Sequence, residues 1–181
     1  MKKGNQETAV LISIRPEWCE MIISGEKTVE VRKTRPKIEP PFKCYIYCTH
    51  PNYPHEDFFV LNPGTIDATA FYGGGHIIGE FICDDIKNIV QVGFPDRVYS
   101  EVSKNGYPLP VDYPAMCLTE RQLNDYGAGK QLYGWNIHVC MIYKQPIAYI
   151  EFCHIGGKKL IKHPPQNWCY VEELPRAEDG K

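Results

Sequence analysis

Gly25-Glu26-Lys27-Thr28-Val29-Glu30-Val31-Arg32 is the stretch whose reading decides the fold. Val29 and Val31 alternate with Thr28, Glu30 and Arg32, and a period of two marks a strand with one buried face. The valines then point inward, and Thr28, Glu30 and Arg32 share the opposite face. Lys27 stands where a turn gives way to the strand. A lysine, a glutamate and an arginine are thereby gathered on one side of a rigid element, and Lys33, Arg35 and Lys37 follow directly. Function is to be sought there first.

Upstream, residues 8–14 read as a buried strand. Pro16 suits the first turn of a helix, with Glu17 and Glu20 near its positive end. Trp18, Met21 and Ile22 recur at helical spacing, and Gly25 follows as a C-terminal cap. The chain is thus delivered through a tight turn into Lys27.

Downstream, a proline-rich connection over 36–41 leads to a strand at 43–49. Tyr45 and Tyr47 take one face of it, and Cys44, Ile46 and Cys48 the other. Residues 50–75 carry prolines and a triple glycine and read as an irregular insertion. Residues 76–83 resume strand patterning around Gly79-Glu80, with Glu80 a carboxylate in an otherwise apolar run, and 84–90 continue it after a kink. Prolines and glycines make 91–114 a loop. Thr119-Glu120-Arg121-Gln122 is a capping box opening a helix to about Tyr126. Residues 133–143 form a strand with Trp135, Ile137, Val139 and Met141 on one face. Lys144-Gln145-Pro146 closes it, and 147–152 form a further one. With no repeat and no linker, residues 1–175 are expected to be one domain, with an insertion at about 50–75, an extension from about 153 and a disordered tail at 176–181.

A chain of 181 residues is long enough to bury a substantial core, and its 43% hydrophobic and 23% charged content is that of a globular protein. A formal net charge of -2 excludes a uniformly basic nucleic-acid binder and leaves room for a local basic patch. The apolar run after the N-terminus is short and Arg15 ends it, so neither a signal peptide nor a membrane span is expected, and the location is cytoplasmic. Eight cysteines contain no Cys-x-x-Cys pair. Cys44 and Cys48 would stand about 13 Å apart on a strand, too far to share a metal ion. Reduced thiols packed as small apolar groups are expected, with no metal and no cofactor.

From the residues alone, Lys27 beside Glu30 is either an ion pair that fixes the strand or a polar pair aimed at a ligand. Carboxylates at 30 and 80 favour a charged, hydrogen-bonding lysine, so catalysis here requires a carboxylate base. Lys33, Arg35, Lys37 and Lys43 are placed to follow a phosphate backbone, and Lys158, Lys159 and Lys162 form a second basic segment. Tyr45, Tyr47, Trp135 and Trp168 are aromatic rings that suit either the core or stacking on a base.

Gly25, Lys27, Glu30 and Arg32 match the G-x-K-x-x-E-x-R motif of ASCH domains, relatives of the PUA-like RNA-binding fold, and the chain resembles that family. The strand-helix-turn before the motif, Gly79-Glu80-Phe81 and the segment from Tyr133 to Ile137 are similar to family features, while Pro164 to Tyr170 is similar to longer bacterial and phage members. The resemblance implies an α+β fold: a small twisted β-barrel of mixed and antiparallel strands with short flanking helices. It also implies a cleft lined by the motif that takes RNA or a modified nucleoside, built from Gly25, Lys27, Glu30, Arg32, Lys33 and Arg35 with Tyr45, Trp135 and Trp168. Some small ASCH proteins are amidohydrolases that remove acetyl groups from N4-acetylcytidine, using a lysine, a threonine three positions later and a glutamate on a later strand. By position these are Lys27, Glu30 in the threonine's place, and Glu80. An amidohydrolase or a ribonuclease is therefore the alternative to a binding protein.

Overall fold

In a computed structural model of the chain, residues 7–50, 74–93, 97–157 and 159–175 are described. The motif strand, β2 (Val29–Arg32), is buried over its first three residues. The other strands are β1 (Thr8–Ile14), β3 (Phe42–Cys48), β4 (Ile77–Val92), β5 (Val98–Val102), β6 (Pro108–Leu109), β7 (Leu132–Ile147) and β8 (Trp168–Glu172). Three short helices accompany them: α1 (Pro16–Ile23), α2 (Tyr113–Met116) and α3 (Glu120–Gly127). The strands join one mixed sheet in the order β2-β7-β4-β3-β1-β8, with β5 paired to β4 and β6 to β5. The α+β class is as expected. Among the described residues the sheet is not a closed ring, since β2 and β8 end the path.

The chain divides into two compact units, neither continuous in sequence. The first holds residues 1–19, 43–81 and 141–181. Here β1 pairs in parallel with β3, Val10 opposite Cys44, and antiparallel with β8, Ile12 opposite Trp168. A strand with partners on both edges and cover on both faces reads as a near-continuous apolar run, as Val10, Leu11, Ile12 and Ile14 do, and the one buried hydroxyl among them, Ser13, donates to the carbonyl of Pro165. The core is Ala9, Leu11, Tyr45, Tyr47, Ile77, Phe152, Ile161 and Val171. Gly79 is required by close approach, because a Cβ there would stand 2.4 Å from the carbonyl oxygen of Met141 on β7.

The second unit holds residues 20–42 and 82–140. Here β2 runs antiparallel to β7, Glu30 opposite Trp135 and Val31 opposite Gly134. Val29 and Val31 enter a core with Ile89, Tyr99, Met116, Leu123 and Leu132, so the valine face points inward as the alternation requires. The capping box of α3 forms: Thr119 Oγ1 accepts from the Gln122 backbone N–H at 3.2 Å, and Gln122 Oε1 accepts from that of Thr119 at 2.8 Å. Gly25 sits past α1 with φ +80°, the left-handed cap that only glycine adopts without strain.

Residues 84–90 continue the strand as expected, β4 running from Ile77 to Val92. Three expectations are corrected. The face of β2 opposite the valines is also covered, since Glu30 is buried with them. Residues 91–114 contain structure: β5 and β6 form a hairpin whose turn closes with Gly106 N–H donating to Ser103 O at 2.9 Å, and α2 follows. Two-residue strands and one-turn helices carry too little periodicity to be read from sequence. Finally, β7 runs through Lys144-Gln145-Pro146 to Ile147, and a 3-10 turn, Tyr149–Glu151, stands where a further strand was expected. Its apolar alternation is interrupted at Val139, whose φ of +47° re-aims the strand, leaving Val139 and Met141 exposed. The insertion from 51 to 73, Lys158 and the tail at 176–181 lie outside the described residues. No described helix is long and apolar enough to cross a membrane.

Candidate functional site

The motif places three charges inside the second unit. Lys27 is 3% exposed, Glu30 6%, and the Arg32 side chain 11%. Glu30 is shared: Lys27 Nζ lies 3.4 Å from its Oε2, and Arg32 Nε 2.9 Å from its Oε1. Lys27 also donates to the carbonyl oxygen of Met116 at 2.6 Å. Met116 is the last residue of α2, where carbonyls have lost their intrahelical partners and favour a cation. That helix is itself fixed by Asp112 Oδ1, which accepts from Ala115 N–H at 3.1 Å, and by the left-handed cap at Cys117. The backbone locks in the same way, with Thr28 N–H donating to Ala115 O at 2.9 Å and Lys27 N–H to Met21 O at 2.9 Å.

Burying two cations and one carboxylate is costly in a low dielectric, and the arrangement holds only because each charge is paired. Lys27 therefore serves as a donor to a carbonyl and a carboxylate. Lys33 and Lys37 are exposed. Arg35 is held by Glu39, 2.9 Å away on the surface, a pairing that solvent screens and a competing anion displaces cheaply.

Glu80, expected in a catalytic set with Lys27 and Glu30, belongs to the first unit and has partners of its own. Tyr143 Oη donates to its Oε2 at 2.6 Å, and Lys43 Nζ lies 3.4 Å from its Oε1. Lys43 Nζ also lies 2.9 Å from Glu173 Oε2. Burial alone would lower the Lys43 pKa, but its hydrogen bond to Glu173 and the surrounding carboxylates outweigh that and raise it. Tyr143 is pushed up first by burial and then by its hydrogen bond to Glu80, so it stays a phenol and a donor. Lys43 is thus a buried ion-pair partner, and its expected reach along a phosphate backbone is corrected.

Two aromatic candidates are corrected as well. Tyr45 is fully buried, its ring edge-on to Phe152 with centroids 4.7 Å apart and its hydroxyl accepting from Leu174 N–H at 3.0 Å. Trp135 is fully buried against Phe42 at 6.0 Å. Neither ring offers a face to a base. Trp168 is half-buried at the start of β8, 5.4 Å from Tyr170.

The structure also brings in residues that the sequence reading passed over. Met116 and Ala115 supply carbonyls from a region read as loop, and Tyr143 is the partner that joins the already singled-out Glu80 and Lys43. Tyr126 on α3 lies beside the motif: Lys33 Nζ stands 4.8 Å from its ring centroid, and Arg32 and Glu30 both act on its hydroxyl. A helix entering at a capping box, with a tyrosine near its end, was the available sign.

The fold is a mixed sheet with short helices, in which Lys27, just before β2, joins Glu30 and Arg32 on that strand in one buried charge cluster. The family model of the ASCH domain matches residues 12–105, just over half of the chain, and the chain belongs to that family. Solved structures agree in fold. The crystal structure of ASCH from Zymomonas mobilis superposes with a TM-score of 0.56 at 20% identity, covering 91% of this chain and 88% of that one. A variant of the same protein with a tyrosine replaced by phenylalanine gives 0.54 at 20% identity, covering 91% of each chain. Comparison with curated protein sequences finds no match.

Proposed function

We propose that this ASCH protein binds RNA or a modified nucleoside at the motif site, with Gly25, Lys27, Glu30 and Arg32 forming its base and Lys33 and Arg35 its basic margin. The observation that carries this reading is the buried Lys27–Glu30–Arg32 trio. Well-packed apolar side chains would fill such a space at no loss of stability, so the charges are best accounted for by what they contact. An excess positive charge at the site, bordered by exposed Lys33 and Lys37, suits an anionic ligand with polar base edges.

The test is binding of a short single-stranded RNA and of cytidine derivatives to the wild type and to Lys27→Met. The variant removes the ammonium while leaving the Glu30–Arg32 pair, and thermal unfolding verifies its fold. A loss of affinity of at least about tenfold is expected from one charge-assisted contact. Wild-type affinity in a folded Lys27→Met protein would sink the proposal.

Hydrolysis is the second reading, favoured by the hydrogen bond from Tyr143 to Glu80. A carboxylate held by a neutral phenol and an ammonium is oriented as a general base would be. Incubation with N4-acetylcytidine should release cytidine and acetate, and Glu80→Gln should abolish the release. No turnover of this or other acylated nucleosides would leave the binding reading alone.

A further inference from the structure

If the motif site takes a nucleobase ligand, something must hold the flat face of the base, and the aromatic rings first expected to do so are accounted for elsewhere. Tyr45 and Trp135 are fully buried, and the Trp168 ring packs edge-on against Tyr170. Within the second unit, Tyr126 combines an accessible ring with direct electrostatic contact to the motif. The residue is 40% exposed. Its hydroxyl is pushed up first by burial, with Arg32 and the Lys33 backbone acting against that and Glu30 with it, which places that end of the side chain beside the motif.

The position of the ring is fixed from below. Tyr126 precedes Gly127, the last residue of α3, and a Cβ on Gly127 would run into the Tyr99 ring, so helix and core are in close contact there. Tyr99 Oη in turn donates to Lys130 O at 2.9 Å, beyond the left-handed cap at Ala128. Lys33 is held differently. It is exposed, and its ammonium lies 4.8 Å from the Tyr126 centroid. An exposed cation over a ring is a weak contact, readily exchanged for a phosphate, and its departure uncovers that face of the ring.

We propose that Tyr126 is the surface on which an unpaired base stacks, with Lys33 moving to the adjacent phosphate, so that the ligand is a single strand or a free nucleotide rather than a duplex. This rests on the reading of the motif as a nucleobase site. It adds the recognition of the base face, which the motif's own lysine, glutamate and arginine do not provide. Stacking is indifferent to base identity, because every base has a π-face. Sequence or modification preference is then left to the charged residues below.

The experiment compares three fluorescently labelled RNA probes: a single-stranded octamer, the same octamer with abasic positions, and its duplex. Against the intact octamer, Tyr126→Leu should weaken binding by about fivefold or more, the lower end of a lost base–aromatic stack. The same variant should bind the abasic octamer as the wild type does. Tyr126→Phe, which keeps the ring, should restore the preference for intact over abasic RNA, and this excludes a folding defect at the position. Lys33→Ala should weaken both single strands alike and reduce the salt dependence by about one phosphate. If the wild type binds the octamer but Tyr126→Leu keeps the same preference over the abasic probe, the assignment of Tyr126 is overturned and the motif reading survives. The assignment is overturned equally if the wild type ignores base removal or prefers the duplex. Wild-type protein that binds no probe overturns both.

Discussion

Each unit encloses a small set of buried charges, and the two sets are mirror images in stoichiometry. In the second unit one carboxylate, Glu30, serves two cations, Lys27 and Arg32. In the first, one cation, Lys43, serves two carboxylates, Glu80 and Glu173. The shared member is the vulnerable one. Removing Glu30 takes the shared carboxylate from two cations that are almost without access to water. Removing either carboxylate of the other set leaves Lys43 still paired, and both carboxylates are partly open to solvent. The motif set is also continuous in sequence, whereas the other set is collected from three strands and the end of the chain.

The largest effect should come from breaking the shared carboxylate. Glu30→Ala is expected to destabilise the protein by about 3–5 kcal/mol, the cost of an uncompensated buried charge, read as a fall in denaturant midpoint. Equal loss in Glu173→Ala would erase the contrast between the sets. Gly79→Ala tests packing beside Glu80. With a Cβ 2.4 Å from the Met141 carbonyl oxygen, strands β4 and β7 must move apart, at about 1–3 kcal/mol. Tyr143→Phe should cost about 1 kcal/mol, one hydrogen bond to a carboxylate that water reaches in part.

The pH response sharpens the same comparison at smaller scale. Lys43 is raised above its ordinary 10.5 because its carboxylate partners outweigh burial. Its contribution is therefore complete below about pH 10.5 and lost as pH rises through the folded value. Tyr143 is raised from 10.0, first by burial and then by Glu80, so it resists ionisation that the unfolded chain undergoes, and stability again falls with rising pH. Denaturant midpoints at pH 8 and about pH 11 should show an alkaline loss that is smaller in Tyr143→Phe and in Glu173→Gln. An unchanged alkaline loss in both variants would place its origin outside this set.

What was legible in the sequence follows from how far apart the interacting residues lie. Val29 and Val31 declared the strand because alternation is local, and Thr119 with Gln122 declared a helix start for the same reason. Lys27, Glu30 and Arg32 were recognisable as a group because six residues contain them. The burial of that group was not legible, since it depends on Met116 and Trp135, which no short pattern connects to it. Tyr45 and Trp135 are stacking candidates by residue type alone, which suits core and surface equally, and only the third dimension separates a core aromatic from a surface one. Tyr126 escaped notice for the converse reason, being one ring among twelve tyrosines until α3 places it over the motif.

The hydrogen bond from Lys27 to Met116 spans 89 residues. It has a consequence for the order in which the protein assembles. During synthesis the motif strand leaves the ribosome well before either α2 or β7 exists, and its two valines and three charges stay hydrated until a long loop closes around them. Closure of that length delays folding more than it reduces final stability, because the ends must meet before any contact is gained. The Lys27–Glu30–Arg32 cluster is thus written early in the chain and completed late, and a nascent chain stalled before residue 113 would carry all three charges but lack α2, α3 and β7, which pack against their strand.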